Sequence, residues 1–230
     1  MLPTIFFWTF IAFVVVIIAL AIVGLVRQKK RREGLAAWAA AKGWTYARHD
    51  DGQLRARFDG APFGTGSSRQ ASNVLRGTYD GRSMTAFDYQ YETTSTDADG
   101  HSHSTTHSFS VLVTEVGVPF PGLSVTPEGM ITRFFGRITN SDIELESEDL
   151  NRAFTVRCSE RKFASDVRTP QMMEMLLRWP ELAWRFDHGC LLLIGDGEHD
   201  IAEVEAKLSL MDMILDRIPS FVWQQWTAHP

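Results

Sequence analysis

The stretch NVLRGTYDGRSMTAFDYQYE, Asn73 to Glu92, contains the fold in miniature. Asp80-Gly81 is a preferred two-residue hairpin turn, because both central positions of a type I′ turn need positive φ. After it, Phe87, Tyr89 and Tyr91 alternate with Ala86, Asp88 and Gln90, the two-residue period of a strand with one face against an apolar layer. Working outward, Thr93–Thr106 is polar apart from Ala98. Phe109, Val111 and Val113 then alternate with Ser110, Leu112 and Thr114 in a strand predicted over His107–Val116. These features predict an antiparallel meander interrupted by a flexible polar loop at 93–107.

The same periodicities organise the rest of the chain. Trp44–Tyr46, Leu123–Thr126, Ile131–Phe135, Ile143–Glu146 and Phe154–Cys158 read as short strands, while residues 49–70 read as irregular. Ala183–Asp187 and Cys190–Ile194 flank His188-Gly189, a second tight hairpin. Glu33–Lys42 predicts a short helix with Leu35, Trp38 and Ala39 on one stripe and Gly43 as its stop, either separate from the membrane helix or run on from it through the basic cluster. Thr169-Pro170 reads as an N-cap and a proline at the first helical position, ahead of a stripe of Met172, Met175, Leu176 and Trp179. Asp200 and Glu203 have capping-box spacing, opening a helix whose stripe is Ile201, Val204, Leu208, Met211, Leu215 and Ile218, with Pro219 as its end. Strands outnumber helices and their connections suit hairpins. The expected class is α+β: one soluble domain with a mainly antiparallel sheet and helices packed mostly on one side.

Ahead of that domain, Ile5–Val26 is apolar apart from Thr9 and Gly24, long enough as a helix to cross a hydrocarbon core about 30 Å thick. Arg27, Lys29, Lys30, Arg31 and Arg32 follow at once, and no cation precedes the run, the reverse of a cleavable signal peptide. Residues 1–32 therefore read as a single transmembrane helix, about residues 5–26, with a basic juxtamembrane cluster. The positive-inside rule expects the N-terminus outside and residues 33–230 in the cytoplasm. The five cations are candidate membrane-surface residues, and the lipid bilayer is the first expected partner.

The chain has 23 Lys+Arg and 28 Asp+Glu. Five of those cations lie in the collar and no acid precedes Glu33, so the domain carries 18 cations against 28 acids, formally −10. That balance opposes nucleic acid as a partner. Cys158 and Cys190 share no motif spacing and are expected as free thiols.

Candidate chemistry is sparse. His101, His103 and His107 are spaced so that three imidazoles could converge on zinc, although the segment around them has no apolar residues to hold them. Gly60–Arg69 has the glycines and hydroxyls of a phosphate loop without its Gly-Lys-Ser/Thr, and is expected to make turns. G-x-S-x-G and H-E-x-x-H motifs are absent, and the acidic run Glu144, Glu146, Glu148 and Asp149 reads as a solvated face. No catalytic residue and no cofactor is assigned. Met172, Met175, Trp179, Trp223 and Trp226 are candidate partner-binding residues, since methionine and aromatic side chains suit adaptable interfaces; helical spacing gives the methionines an equally simple role as core.

The segment Glu148-Asp-Leu-Asn-Arg-Ala-Phe-Thr-Val156, followed by Thr169-Pro-Gln-Met-Met173 and preceded by a membrane helix, resembles a family of membrane-anchored bacterial proteins with no assigned activity. There an acidic-x-x-Asn/Glu-x-x-Phe-x-Val strand precedes a Thr/Ser-Pro-x-Met-Met/Leu helix. The resemblance covers roughly residues 110–218 and the anchor, and leaves out the histidine-bearing loop. It implies an N-terminal transmembrane helix, a cytoplasmic α+β domain and a bacterial plasma (inner) membrane setting, and it brings no catalytic residues. The expected function is an accessory or scaffold protein of a membrane transport, secretion or envelope-assembly complex, with a membrane protein as partner. The alternatives are a membrane-surface enzyme using the histidine loop, or a lipid-handling domain.

Overall fold

The computed structural model describes residues 2–97, 99–130, 142–143 and 153–227. A single helix, α1 (Leu2–Ala41), runs 40 residues without a break, about 60 Å. The apolar run and the short helix expected after it are thus one rod. Gly43, at φ 72°, ends it: Trp44 N–H donates to Ala39 O (2.7 Å) and Gly43 N–H to Ala40 O (3.2 Å), a Schellman pair that satisfies the last carbonyls. Between Phe10 and Val26 most of the large apolar side chains of α1 are exposed, whereas Leu35 and Ala39 are buried in the domain. One rod therefore serves two solvents. Among the described residues it is the one helix long and apolar enough to cross a membrane.

Among the described residues, the domain is built on nine antiparallel strands. They are β1 (Thr45–His49), β2 (Ser67–Tyr79), β3 (Arg82–Thr96), β4 (Ser102–Glu115), β5 (Leu123–Pro127), β6 (Asp142–Ile143), β7 (Phe154–Cys158), β8 (Ala183–Asp187) and β9 (Cys190–Asp196). Their order in the sheet is β1-β2-β3-β4-β9-β8-β5-β7-β6. Both turns read from the sequence are present. Asp80 and Gly81 sit at φ 45° and 75°, and His188 and Gly189 at 47° and 69°.

Two expectations shift. Residues 67–70 are strand rather than irregular, because β2 starts at Ser67 and is bent by register shifts at 67–70 and 72–75, where Ser68 and Asn73 adopt positive φ. The loop expected at 93–107 shrinks to Asp97–His101. β3 and β4 stay paired from Met84↔Thr114 out to Thr96↔Ser102, since Thr93, Thr94, Thr96, Thr105 and Thr106 suit a pleated ladder. The turn is organised by Asp97, whose Oδ1 accepts from Asp99 N–H (3.1 Å) and His101 N–H (2.8 Å). The strand expected at Ile131–Phe135 lies outside the described residues, as do Glu144, Glu146, Glu148 and Asp149.

Helices cover one face of the sheet: α3 (Arg161–Val167), α4 (Pro170–Leu176), α5 (Ile201–Asp216), α6 (Ser220–Thr227) and the end of α1. The other face is closed by the 50–66 segment with its one-turn helix α2 (Leu54–Arg57), where Leu54, Phe58 and Phe63 pack on Phe87, Tyr89, Phe109 and Val111. The alternation read along β3 explains the two layers, with Ala86 in the helix-side core and Phe87 in the other. Thr169 caps α4 by accepting from Met172 N–H at 3.2 Å, and Asp200 caps α5 by accepting from Glu203 N–H at 2.8 Å.

Candidate functional site

On the helix-side face of β3 and β4, beneath the foot of α1, lies a chain of buried polar groups. Arg31, with a side chain only 17 % exposed, leaves the basic collar and turns into the domain. Its Nη1 donates to Asp88 Oδ2 and to the His199 carbonyl, both at 2.8 Å, and its Nη2 pairs with Glu198 Oε2 at 3.0 Å. Asp88, 7 % exposed, also accepts from Asn73 Nδ2 (2.8 Å) and from His199 N–H (2.8 Å), with His199 Nδ1 at 3.3 Å. Tyr46 O–H donates to Asn73 Oδ1 at 2.7 Å. The positive φ of Asn73 in the β2 bulge brings its amide into this group.

A second group adjoins it across the ladder, where Asp88 pairs with Ser110. Lys207, fully buried on α5, donates to Ser110 O (2.8 Å) and Ser110 Oγ (2.7 Å) and pairs with Glu203 at 2.7 Å. Ser110 O–H in turn donates to Glu203 Oε1 at 2.6 Å. Here the capping-box expectation is half met. Asp200 caps the helix, but Glu203 is drawn inward to neutralise a buried ammonium rather than back to the cap. An unpaired cation there would cost several kcal/mol.

Burial tends to raise the Asp88 carboxyl, yet hydrogen bonds from His199 and the charge of Arg31 prevail and hold it below the usual range. His199 is pulled down, first by burial and then by the charge of Lys207, so at neutral pH its ring is uncharged. The neutral ring donates through Nδ1 to Asp88, and its buried Nε2 has no hydrogen-bond partner among the described residues. Lys207 is likewise lowered by burial, opposed by Glu203. The arrangement is an electrostatic latch between α1, the sheet and the N-terminus of α5. Its serine hydroxyl and its amine, on Ser110 and Lys207, are both wholly buried.

The other residues singled out from the sequence fall as follows. Arg27, Lys29 and Lys30 are exposed, and Arg32 donates to Gln28 Oε1 at 2.9 Å. The expectation that all five collar cations face lipid is therefore corrected for Arg31, which is committed to Asp88. His101 and His103 both approach Asp97, at 3.7 and 3.3 Å. His107 instead bonds Thr93 Oγ1 (2.9 Å) and stacks on Tyr91. The three histidines do not converge, because His103 and His107 stand four strand residues apart, about 13 Å. No group of three or more potential metal-binding side chains occurs among the described residues.

Met172 and Met175 are buried in the core, Trp223 packs edge-on against Phe120, and Trp226 against Phe163. Trp179 is half-buried. Met172 and Met175 thus fill the interior, whereas Trp179, Trp223 and Trp226 pack against the core while staying partly exposed. Burial raises both thiols, Cys158 and Cys190, so neither is activated. Between the sheet and helices α3 and α4 the apolar cavity bounded by Val125, Val156, Met172 and Trp184 measures about 30 Å³, room for one water and not for an acyl chain.

Sequence reading missed Asp88, Asn73, His199 and Lys207. The alternation hid the acid: Asp88 shares its strand face with Ala86 and Gln90, which the sequence reads as the face away from the apolar layer of Phe87, Tyr89 and Tyr91.

Comparison with known proteins places the fold. No family model matches the chain, and no curated protein matches it. Among solved structures it is similar to the mycobacterial trehalose monomycolate transport factor A, TtfA, with a TM-score of 0.60. Identity is 14 %, and the match covers 82 % of this chain and 96 % of that one. At that identity the likeness establishes a shared α+β fold alone.

Proposed function

We propose that this chain is a single-pass membrane-anchored accessory protein that holds a cytoplasmic α+β domain in a set orientation beside a bacterial inner-membrane transport or envelope-assembly complex. The observation that carries the reading is the latch. A tether needs only a hydrophobic span and a linker, but here the span continues unbroken into the domain, and Arg31 fastens it to Asp88, Glu198 and the His199 carbonyl. Such an unbroken junction suits a part that must present one side of itself to a neighbour in the bilayer. The likeness of fold to a transport factor supports the same class of role.

The exposed Arg27, Lys29 and Lys30 support a cytoplasmic domain by the positive-inside rule, and they remain available to anionic head groups. The test is cross-linking of the full chain in native membranes, followed by purification in mild detergent. One dominant integral membrane protein is expected; recovery of lipid and self-contacts alone would end the proposal. A reporter fused after Pro230 should be active inside the cell, and activity confined to the exported side would overturn the orientation.

A further inference from the structure

The β3–β4 hairpin outruns the rest of the sheet, and its direction can be worked out from contacts along two helices. Arg82, at the start of β3, binds Asp212 and Asp216 near the end of α5, whereas Ser110, opposite Asp88, meets Glu203 and Lys207 near its beginning. Six strand residues and thirteen helical residues both span about 20 Å, so α5 lies alongside β3 in the opposite sense. The anchor helix obeys the same alignment. Trp44, just past its end, donates to Thr78 O near the Asp80-Gly81 turn, and Arg31 reaches Asp88. Beyond Asp88, β3 therefore heads toward the apolar half of α1.

Tyr89 to Thr96 adds eight residues, about 26 Å of strand. From Arg31 to Val26, the last apolar residue of the span, is only about 7–8 Å of helix. The hairpin is thus long enough to reach the bilayer surface. It cannot enter hydrocarbon, because its tip is polar and its backbone edges are open. Pairing of β2 with β3 ends at Ser67↔Glu92, and pairing of β4 with β9 begins at Phe109↔Asp196. Among the described residues, Thr93–Thr96 pair only with Ser102–Thr105, and Thr106 and His107 only with Glu92 and Tyr91. A two-stranded ribbon of this kind is marginal alone in water. Its root is nevertheless held firmly, with Tyr91 stacked between His107 (4.9 Å) and Phe109 (5.7 Å).

The charge is one-sided. No Lys or Arg occurs between Arg82 and Arg133, and the arm carries Glu92, Asp97 and Asp99. Open strand edges accept an added strand through main-chain hydrogen bonds. Short cytoplasmic segments next to membrane spans are rich in Lys and Arg. We propose that the β3–β4 arm is the docking element of this protein, and that its occupant is a basic juxtamembrane segment of an integral membrane protein, laid as an extended strand along an open edge of the arm. This rests on the accessory-protein reading above and names the surface and the partner chemistry for it.

The test uses the full chain in native membranes, with a photo-cross-linking residue at Thr94 or Ser104 and a control at Asp80 on the far turn. Thr94 and Ser104 should give an adduct with another polypeptide, mapping by mass spectrometry to a net-positive stretch within about 20 residues of a membrane span; Asp80 should not. A second variant replaces residues 93–105 by Asn-Gly, which closes the hairpin at the Glu92↔Thr106 pair. It should keep the wild-type melting profile while co-purification of the partner falls at least tenfold. The charge reversal Asp97→Lys/Asp99→Lys should weaken capture more than Asp97→Asn/Asp99→Asn. Adducts confined to lipid, or to a second copy of this chain, would overturn the proposal. Undiminished capture by the shortened arm would do the same while leaving the accessory reading intact. Failure of the full chain to retain any partner would sink both.

Discussion

Asp88→Asn is the sharpest perturbation of the latch. The carboxylate accepts from Arg31 Nη1, Asn73 Nδ2 and His199 N–H, each at 2.8 Å, and faces His199 Nδ1 at 3.3 Å. An amide of the same shape keeps one oxygen, and so two of these bonds. It turns an NH2 group toward the other two donors, whichever way it flips. Two charge-assisted hydrogen bonds at about 1.5–3 kcal/mol each set the scale, close to the 3–5 kcal/mol typical of breaking a buried pair. Arg31 retains Glu198 and the His199 carbonyl, which moves the expected cost to the lower part of that range, about 3–4 kcal/mol at pH 7. The assay is urea unfolding of the full chain in detergent micelles, followed by tryptophan fluorescence.

The pH dependence supplies the sign. Asp88 is held below its ordinary value, so its contribution is fully present above about pH 4, the unfolded value, and is lost as pH falls through the folded one. The gap between wild type and variant should therefore narrow below about pH 4. A deficit under about 1 kcal/mol at pH 7, or one of unchanged size at pH 3, would refute the reasoning that the charge on Asp88 holds the joint together.

Three further outcomes are expected. His199 is buried and neutral, with its folded value depressed, so the unfolded chain binds the extra proton below about pH 6.5; stability should decline from there downward, and His199→Gln should flatten that slope in urea titrations at pH 7 and pH 5. Gly77→Ala would place a Cβ well inside contact distance of the Trp44 indole, and should cost about 1–3 kcal/mol with a shift in tryptophan emission; an unchanged spectrum and midpoint would contradict the packing. Met172→Ala should lose about 2–5 kcal/mol by denaturant unfolding, as a core residue does, whereas a partner-contact residue would leave the isolated protein's midpoint unmoved.

What was legible in the sequence was local. The Asp80-Gly81 and His188-Gly189 turns, the caps Thr169 and Asp200, the Gly43 stop and the two-residue alternation of β3 and β4 all follow from backbone sterics and side-chain period within a few residues. Together they specify an antiparallel sheet with helices on one face. The apolar span is equally local, since twenty-odd consecutive apolar residues need no tertiary context to demand lipid. Even the miss at 93–107 was local in origin: low hydrophobicity suggested a loop, while the β-branched threonines favoured a ladder that the turn at Asp97 completes.

The latch was legible only in the folded chain. Arg31 and Asp88 are 57 positions apart, and Arg31 and the His199 carbonyl 168 apart. Which cation of a basic run leaves the bilayer surface, and which acid receives it, depends on the bulge at Asn73, on the pairing of β3 with β4 and on α5 lying along them. No local period encodes those distances. Glu203 shows the same division: its spacing from Asp200 allowed a capping box, but a buried Lys207 one turn later claimed it, because an unpaired ammonium in the core costs more than an unfilled cap. Chain chemistry determined the elements and the anchor. Tertiary structure decided how the anchor is joined to the domain, because long-range electrostatics in a dry interior outweigh the preferences of neighbours in sequence.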